Sequence, residues 1–325
     1  MFAVTAAAAH PDSPLDGLRL GEHPDPTPAE GWTTVSVRAA ALNHHDLWTL
    51  KGVGISLDRL PIVLGCDAAG VDEDGNEVIV HAVIGDPVAG GGDETLDPRR
   101  SLLSEVHDGT LADLVAVPRR NLVPKPAGLT WAEAACLPTA WLTAYRMLFT
   151  RSGLTSGDTV LVQGAGGGVA TALVVLAKVG GFRVWVTSRD EAKRAHALEL
   201  GADAAFESGA RLPERVDAVM ETVGEATWSH SLKALKPGGR IVVSGATSGS
   251  NPPADLSRVF FLQLSVVGST MGTRDELLAL AELCADRGFR PLVDSTFALT
   301  DARAAFERLE SGDAFGKVVL TRADS

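Results

Sequence analysis

Three cysteines in 325 residues, Cys66, Cys136 and Cys284, are too few and too far apart for a disulfide framework. An odd, scattered set of thiols fits a reducing cytoplasm. Basic side chains are outnumbered, 29 Lys and Arg against 41 Asp and Glu, a formal net charge of −12. That balance argues against nucleic acid or an anionic membrane as a partner. No apolar run exceeds about half of the roughly 20 residues that a membrane-spanning helix needs. The stretch FAVTAAAA has no basic region before it and no cleavage pattern after it, so no signal peptide is expected. Internal repeats and charge blocks are absent too. The length, with 45% hydrophobic residues, suffices for two domains with their own cores.

Glycine, by contrast, is concentrated at one place. Residues 159–189 read TVLVQGAGGGVATALVVLAKVGGFRVWVTSR. A short β-branched run is followed by Gly164, Gly166, Gly167 and Gly168, then by an apolar helical run from Val169, then by a second β-branched run. Strand, glycine turn, helix and strand make a βαβ unit with a right-handed crossover. Glycine is needed there because the turn takes backbone angles that a Cβ forbids. A diphosphate also reaches a helix N-terminus only where no side chain intervenes. The spacing Gly164-x-x-Gly167-x-x-Ala170 ends on a residue small enough for close helix–strand packing, which predicts dinucleotide binding.

The tip of the second strand indicates which dinucleotide. An Asp or Glu about 20 residues past the glycines ordinarily holds a ribose 2′-hydroxyl. Here the tip reads Thr187-Ser188-Arg189, with Lys193 and Arg194 one turn on, and Asp190 is read as the N-cap of the next helix. A hydroxyl and a guanidinium suit a 2′-phosphate. NADPH is the expected cofactor.

Before the glycine turn, to about residue 120, the chain is β-rich. Residues 33–41, 77–83 and 111–117 alternate or are β-branched, and DEDGN at 72–76 is a hairpin signal. The stretch ALNHHDLWTLKG at 41–52 is the densest ionisable cluster of this half, and 88–97 reads as a mobile loop. From Pro124 helices begin: Thr130 and Glu133 form a capping box, and 139–149 is helical. After the glycine unit, helices at 190–200 and 226–235 alternate with strands at 204–206, 216–220 and 240–244, with Lys236-Pro-Gly-Gly239 stopping a helix. This is the pattern of a doubly wound parallel sheet. The strand, two helices and strand beyond 264 are too few for a domain and are expected to complete the first one.

The segments ALNHHDLW, LGCDAAG, DGTLADLVAVP, GLTWAEAACLPTAWLTAYRML, VLVQGAGGGVA, LKPGGRIVVSGATSG, GSTMGT and FGKVVL together resemble the medium-chain dehydrogenase/reductase superfamily, and within it the quinone oxidoreductase-like branch. The resemblance covers essentially the whole length. It implies an α/β chain: a GroES-like β-rich catalytic domain at 1–123, completed by 267–325, and a Rossmann NADPH-binding domain at 124–266. It also implies a homodimer or tetramer, sheets pairing edge to edge near 260–269.

Zinc-dependent relatives hold catalytic zinc at positions matching Asn43, Cys66 and Thr139. Asparagine and threonine are poor zinc ligands, and Cys66 would need Asp67, His44 or His45 beside it. The segment matching the structural-zinc lobe, 85–108, contains no cysteine. No metal is expected. The resemblance further places His45 as proton donor and Asn43 as amide donor to the acceptor oxygen. Trp48 and Cys66 fall at the substrate pocket, although Trp48 also reads as core and His45 as a structural histidine. The cofactor set implied is His44, Thr143, Gly164, Gly166, Gly167, Gly168, Val169, Ser188, Arg189, Lys193, Gly245, Ala246, Thr247 and Lys317. The expected activity is zinc-independent, NADPH-dependent reduction of quinones or α,β-unsaturated carbonyl compounds, with a small molecule as substrate and a second copy of the chain as partner. A zinc-dependent alcohol or aldehyde dehydrogenase and a non-catalytic NADPH-binding protein are the alternatives.

Overall fold

The computed structural model describes residues 1–322. The chain forms two compact units, one of residues 1–142 with the return from Met271, the other Thr143–Thr270.

The first unit is organised on the strand Trp32–Ala41, whose TTVSVRAAA sequence alternates between half-buried and buried positions. It pairs antiparallel with Asp67–Asp72, with Leu114–Pro118 and with the returning strand Lys317–Thr321. Asp67–Asp72 turns back on Glu77–Val80 through the DEDGN hairpin, where the Asp72 carboxylate accepts from the Asp74 and Asn76 N–H groups. The core between sheet and helices holds Val35, Val37, Leu47, Leu64 and Phe306, the last on the helix Ala302–Glu310.

The helix Trp131–Ala135, started by the Thr130–Glu133 capping box, packs on Trp32–Ala41 and Asp67–Asp72. Ala39, Ala40 and Ala41 of Trp32–Ala41 are buried. For that reason the first unit continues to Leu142 rather than ending where the sequence turns helical at Pro124. The helix expected at 139–149 is irregular: wide π-type turns occupy Leu137–Trp141 and Arg146–Arg151, the first around Pro138, which has no N–H to give.

The stretch 88–97, read as a mobile loop, is anchored instead. A short turn at Glu94–Leu96 starts from Asp93, which accepts from Thr95 N–H. It buries Glu94, whose Oε1 accepts from the Arg274 N–H at 2.7 Å and lies 3.3 Å from His81 Nε2. Burial pushes the Glu94 carboxyl up, but the His81 contact and the backbone donors outweigh it and hold the pKa at about 2. A carboxyl depressed below its ordinary value of 4.5 contributes stability above that pH and loses it as pH falls toward 2. About 3 kcal/mol is at stake. Urea unfolding at pH 3 and pH 7 should show Glu94→Gln with a shallower acid loss than the natural chain.

The second unit is a six-stranded parallel sheet in the order Ala204–Phe206, Arg183–Thr187, Thr159–Val162, Val216–Glu221, Leu235–Val243, Ser265–Gly268. Strand order reverses beside Thr159–Val162, the switch point where such sheets take ligands at their carboxyl ends. One detail differs from the sequence reading. The helix Glu225–Ala234 ends before Lys236-Pro-Gly-Gly239, and that tetrad lies inside the strand Leu235–Val243. The register shift between Val216 and Ala218 absorbs it. Among the described residues no helix is long and apolar enough to cross a membrane.

Candidate functional site

In the first unit the end of Trp32–Ala41 runs into the helix His44–Leu50. Asp46, at its third position, accepts from the N–H of Asn43 at 2.8 Å and of Gly65 at 3.0 Å, fastening helix to neighbouring turn. Asp46 is thereby a buried cap.

Lys317 enters beneath this turn. Its Nζ donates to Leu42 O at 2.7 Å, Asn43 Oδ1 at 2.6 Å and Asp67 Oδ2 at 2.9 Å. Asn43 Nδ2 donates to the same Asp67 oxygen at 2.9 Å and, at 3.4 Å, to Ala41 O. Asp67 is fully buried and Lys317 nearly so. Two expectations change here. Asn43 is not an open amide donor and Lys317 is not a free cation for a cofactor phosphate, because a carboxylate in an apolar interior needs a cation and donors around it.

His45, on the same helix, is part-exposed. Its Nε2 is 3.0 Å from Glu105 Oε1, and its Nδ1 is 3.6 Å from Cys66 Sγ. Cys66 donates to Leu103 O at 3.3 Å. Burial works against charge on the ring, but Cys66, Glu105 and Asp46 together raise its pKa well above the ordinary 6.5. Burial likewise pushes the Cys66 thiol up, while the neighbouring His45 pulls it down. Glu105 is the acidic side chain in hydrogen-bond contact with the ring. His44 and Trp48 lie exposed on the same helix, so Trp48 is not a core residue. Cys136 and Cys284 are buried, and burial pushes both thiols up to about 12.

The donor set does not fit a catalytic zinc. Asn43 is engaged by Asp67 and Lys317, and Thr139 offers only a hydroxyl, which leaves Cys66 alone of the three matching positions as a ligand type that zinc favours. Among the described residues no three His, Cys, Asp or Glu side chains are grouped to hold an ion.

In the second unit the glycine turn joins Thr159–Val162 to the helix Gly168–Val179. Gly164 and Gly166 have φ of +80° and +106°, where a Cβ would be strained. A Cβ on Gly167, the N-cap, would meet nothing within 4 Å. That leaves room beside the start of the helix, as an entering diphosphate requires. At the tip of Arg183–Thr187, Ser188 is buried and Arg189 exposed. Asp190 accepts from Lys193 N–H as a helix cap, and Arg194 donates to Ser188 O at 2.7 Å. The residues present fit a 2′-phosphorylated dinucleotide. Gly245, Ala246 and Thr247 follow the strand Leu235–Val243, and Thr247 N–H donates to Thr222 O at 3.3 Å. Thr143 is buried at the start of this unit.

A polar network behind these strand ends escaped the sequence reading. Thr187 Oγ1 donates to Gln163 Oε1 at 2.6 Å, and Gln163 Nε2 donates to Ser231 at 3.0 Å. Ser231 donates to the fully buried Glu221 at 2.6 Å, which also accepts from Thr227 and from the N–H groups of Val223 and Gly224. It locks three strand ends in register. Glu221 ends a buried strand, and that acidic residue in an apolar run is the one signal the sequence offered.

The chain matches the alcohol dehydrogenase GroES-like domain over residues 29–127 and the zinc-binding dehydrogenase family over residues 168–286. An acryloyl-coenzyme A reductase of Metallosphaera sedula is 30% identical over 323 residues, covering 94% of this chain and 96% of that one. A crotonyl-CoA carboxylase/reductase of Cereibacter sphaeroides is 28% identical, covering 85% and 76%. Among solved structures, an NAD-dependent alcohol dehydrogenase superposes with a TM-score of 0.91 at 34% identity over 99% of this chain and all of that one.

Proposed function

Because the chain belongs to the medium-chain dehydrogenase/reductase superfamily and is an oxidoreductase with NADPH as cofactor, we propose that it reduces α,β-unsaturated carbonyl compounds without zinc. Enoyl thioesters of coenzyme A are the first substrate class, in keeping with the acryloyl- and crotonyl-CoA reductases among its relatives. Quinones are the second. The observation that carries this reading is His45, its Nε2 3.0 Å from Glu105 Oε1 and its Nδ1 3.6 Å from Cys66 Sγ, on the helix that follows an Asn43 engaged by Asp67 and Lys317.

When bound, NADPH supplies the hydride that goes to the β-carbon. The chain's own residues do the rest. Negative charge collects on the carbonyl oxygen as the hydride arrives, and His45 meets it with a proton, the role a Lewis acid would otherwise fill. Gly164, Gly166, Gly167, Gly168 and Val169 cradle the diphosphate, and Ser188 and Arg189, with Lys193 nearby, receive the 2′-phosphate. A homodimer joined through the second unit is part of the proposal: the edge strand Ser265–Gly268 and the neighbouring Phe260 and Phe261 leave apolar side chains exposed.

The test is NADPH oxidation across crotonyl- and acryloyl-CoA, simple enones and quinones, run beside metal analysis of the purified protein. Turnover of an enoyl thioester with less than about 0.1 ion per chain is the expected result. The likeness to an alcohol dehydrogenase favours one competitor. Alcohol oxidation with NADP and one zinc per chain would establish it instead. Tight NADPH binding with no turnover on any acceptor would leave a non-catalytic binding protein.

A further inference from the structure

We propose that Glu105 is the positioning residue of this reaction: its carboxylate grips Nε2 of His45 at 3.0 Å and leaves Nδ1 as the nitrogen that gives its proton to the substrate oxygen. This rests on His45 being the proton donor, and it adds a residue that neither composition nor motif pointed to.

The geometry is that of a base oriented by a third group. Nδ1 has only the long contact to sulfur at 3.6 Å, easily displaced by an oxyanion. Nε2 is held by a full charge. The loop that delivers Glu105 is built for the purpose. Leu103 is buried, its N–H donating to Ala82 O and its carbonyl accepting from Cys66. Ser104 takes a left-handed φ of +68°, and its N–H closes the turn on His107 O at 2.8 Å. Between these anchors Glu105 projects with its side chain 27% exposed, in reach of water that can restore the proton. The loop lies in the cysteine-free stretch 85–108, where the family resemblance would put a structural-zinc lobe.

Other charged groups around His45 are already committed. Asp46 is bound by the N–H groups of Asn43 and Gly65, Asp67 by Lys317 and Asn43, and Cys66 donates to Leu103 O. Glu105 is the one of these carboxylates that contacts the ring nitrogen directly.

The experiment compares the natural chain with Glu105→Gln, Glu105→Asp and His45→Gln. Nitrogen-15 NMR follows the His45 ring in the NADPH-bound protein, and kcat is followed from pH 5 to 10 on the best acceptor. Removing an adjacent carboxylate disfavours the imidazolium, so in Glu105→Gln the ring should lose its proton about 1–3 pH units earlier. The alkaline limb of kcat should move down with it, while Glu105→Asp recovers part of the shift. Coincident titrations, or a shifted ring with an unmoved kcat limb, overturn the role of Glu105. If His45→Gln turns over normally, the proton-donor reading itself fails, a result distinguishable from the first two.

Discussion

Lys317→Met is expected to lower the stability of the first unit by about 3–5 kcal/mol, the cost of leaving a buried carboxylate without its cation. Asp67 is fully buried, one of its oxygens has no partner at all, and the other receives Lys317 and Asn43. Methionine preserves most of the apolar volume, so the loss reads charge rather than packing. Such a change is a large part of the 5–15 kcal/mol that holds a typical domain together. Urea unfolding followed by tryptophan fluorescence measures it. The double variant Lys317→Met, Asp67→Asn should recover most of the loss, since an amide costs far less to bury than an unpaired charge. A loss under 1 kcal/mol in the single variant would mean that water reaches Asp67. The same experiment weighs a second matter: if Lys317 were chiefly a cofactor ligand, stability would hold and NADPH affinity would fall.

His45→Gln should reduce kcat by about 10²- to 10⁴-fold, the usual worth of a general acid, or about 3–5 kcal/mol of barrier. NADPH affinity, read by fluorescence titration, should hold. Glutamine fills similar space but has no titrating proton. The natural enzyme should run at a constant rate through neutrality and slow in alkali, because Cys66, Glu105 and Asp46 keep the ring charged well above pH 6.5. In the variant that alkaline limb should vanish. Undiminished turnover would assign the proton to solvent or to another group.

Much of the architecture was legible in linear order. The βαβ unit around Gly164, the helix caps at Thr130 and Asp190, and the alternating strand at 33–41 appear where the pattern put them. Each rests on local periodicity or on capping by a residue three positions away, so one window of sequence suffices.

The partners of the charged residues were not legible. Lys317 and Asp67 are 250 positions apart, and Glu105 meets His45 across 60. Nothing in the spacing of either pair distinguishes a cofactor ligand from a buried ion pair, or a solvated loop glutamate from one holding an imidazole. Glu94 shows the same limit: a Gly- and Asp-rich stretch looks mobile until a carboxylate in it is found buried against Arg274 and His81.

By itself, then, the order of residues determined which backbone segments form, where a diphosphate can approach, and which side chains are chemically able to donate or ligate. Tertiary structure alone decided which of those side chains are turned inward and which remain free. The reason is that a buried charge must find its counter-charge wherever packing brings one, and packing does not follow the distance along the chain.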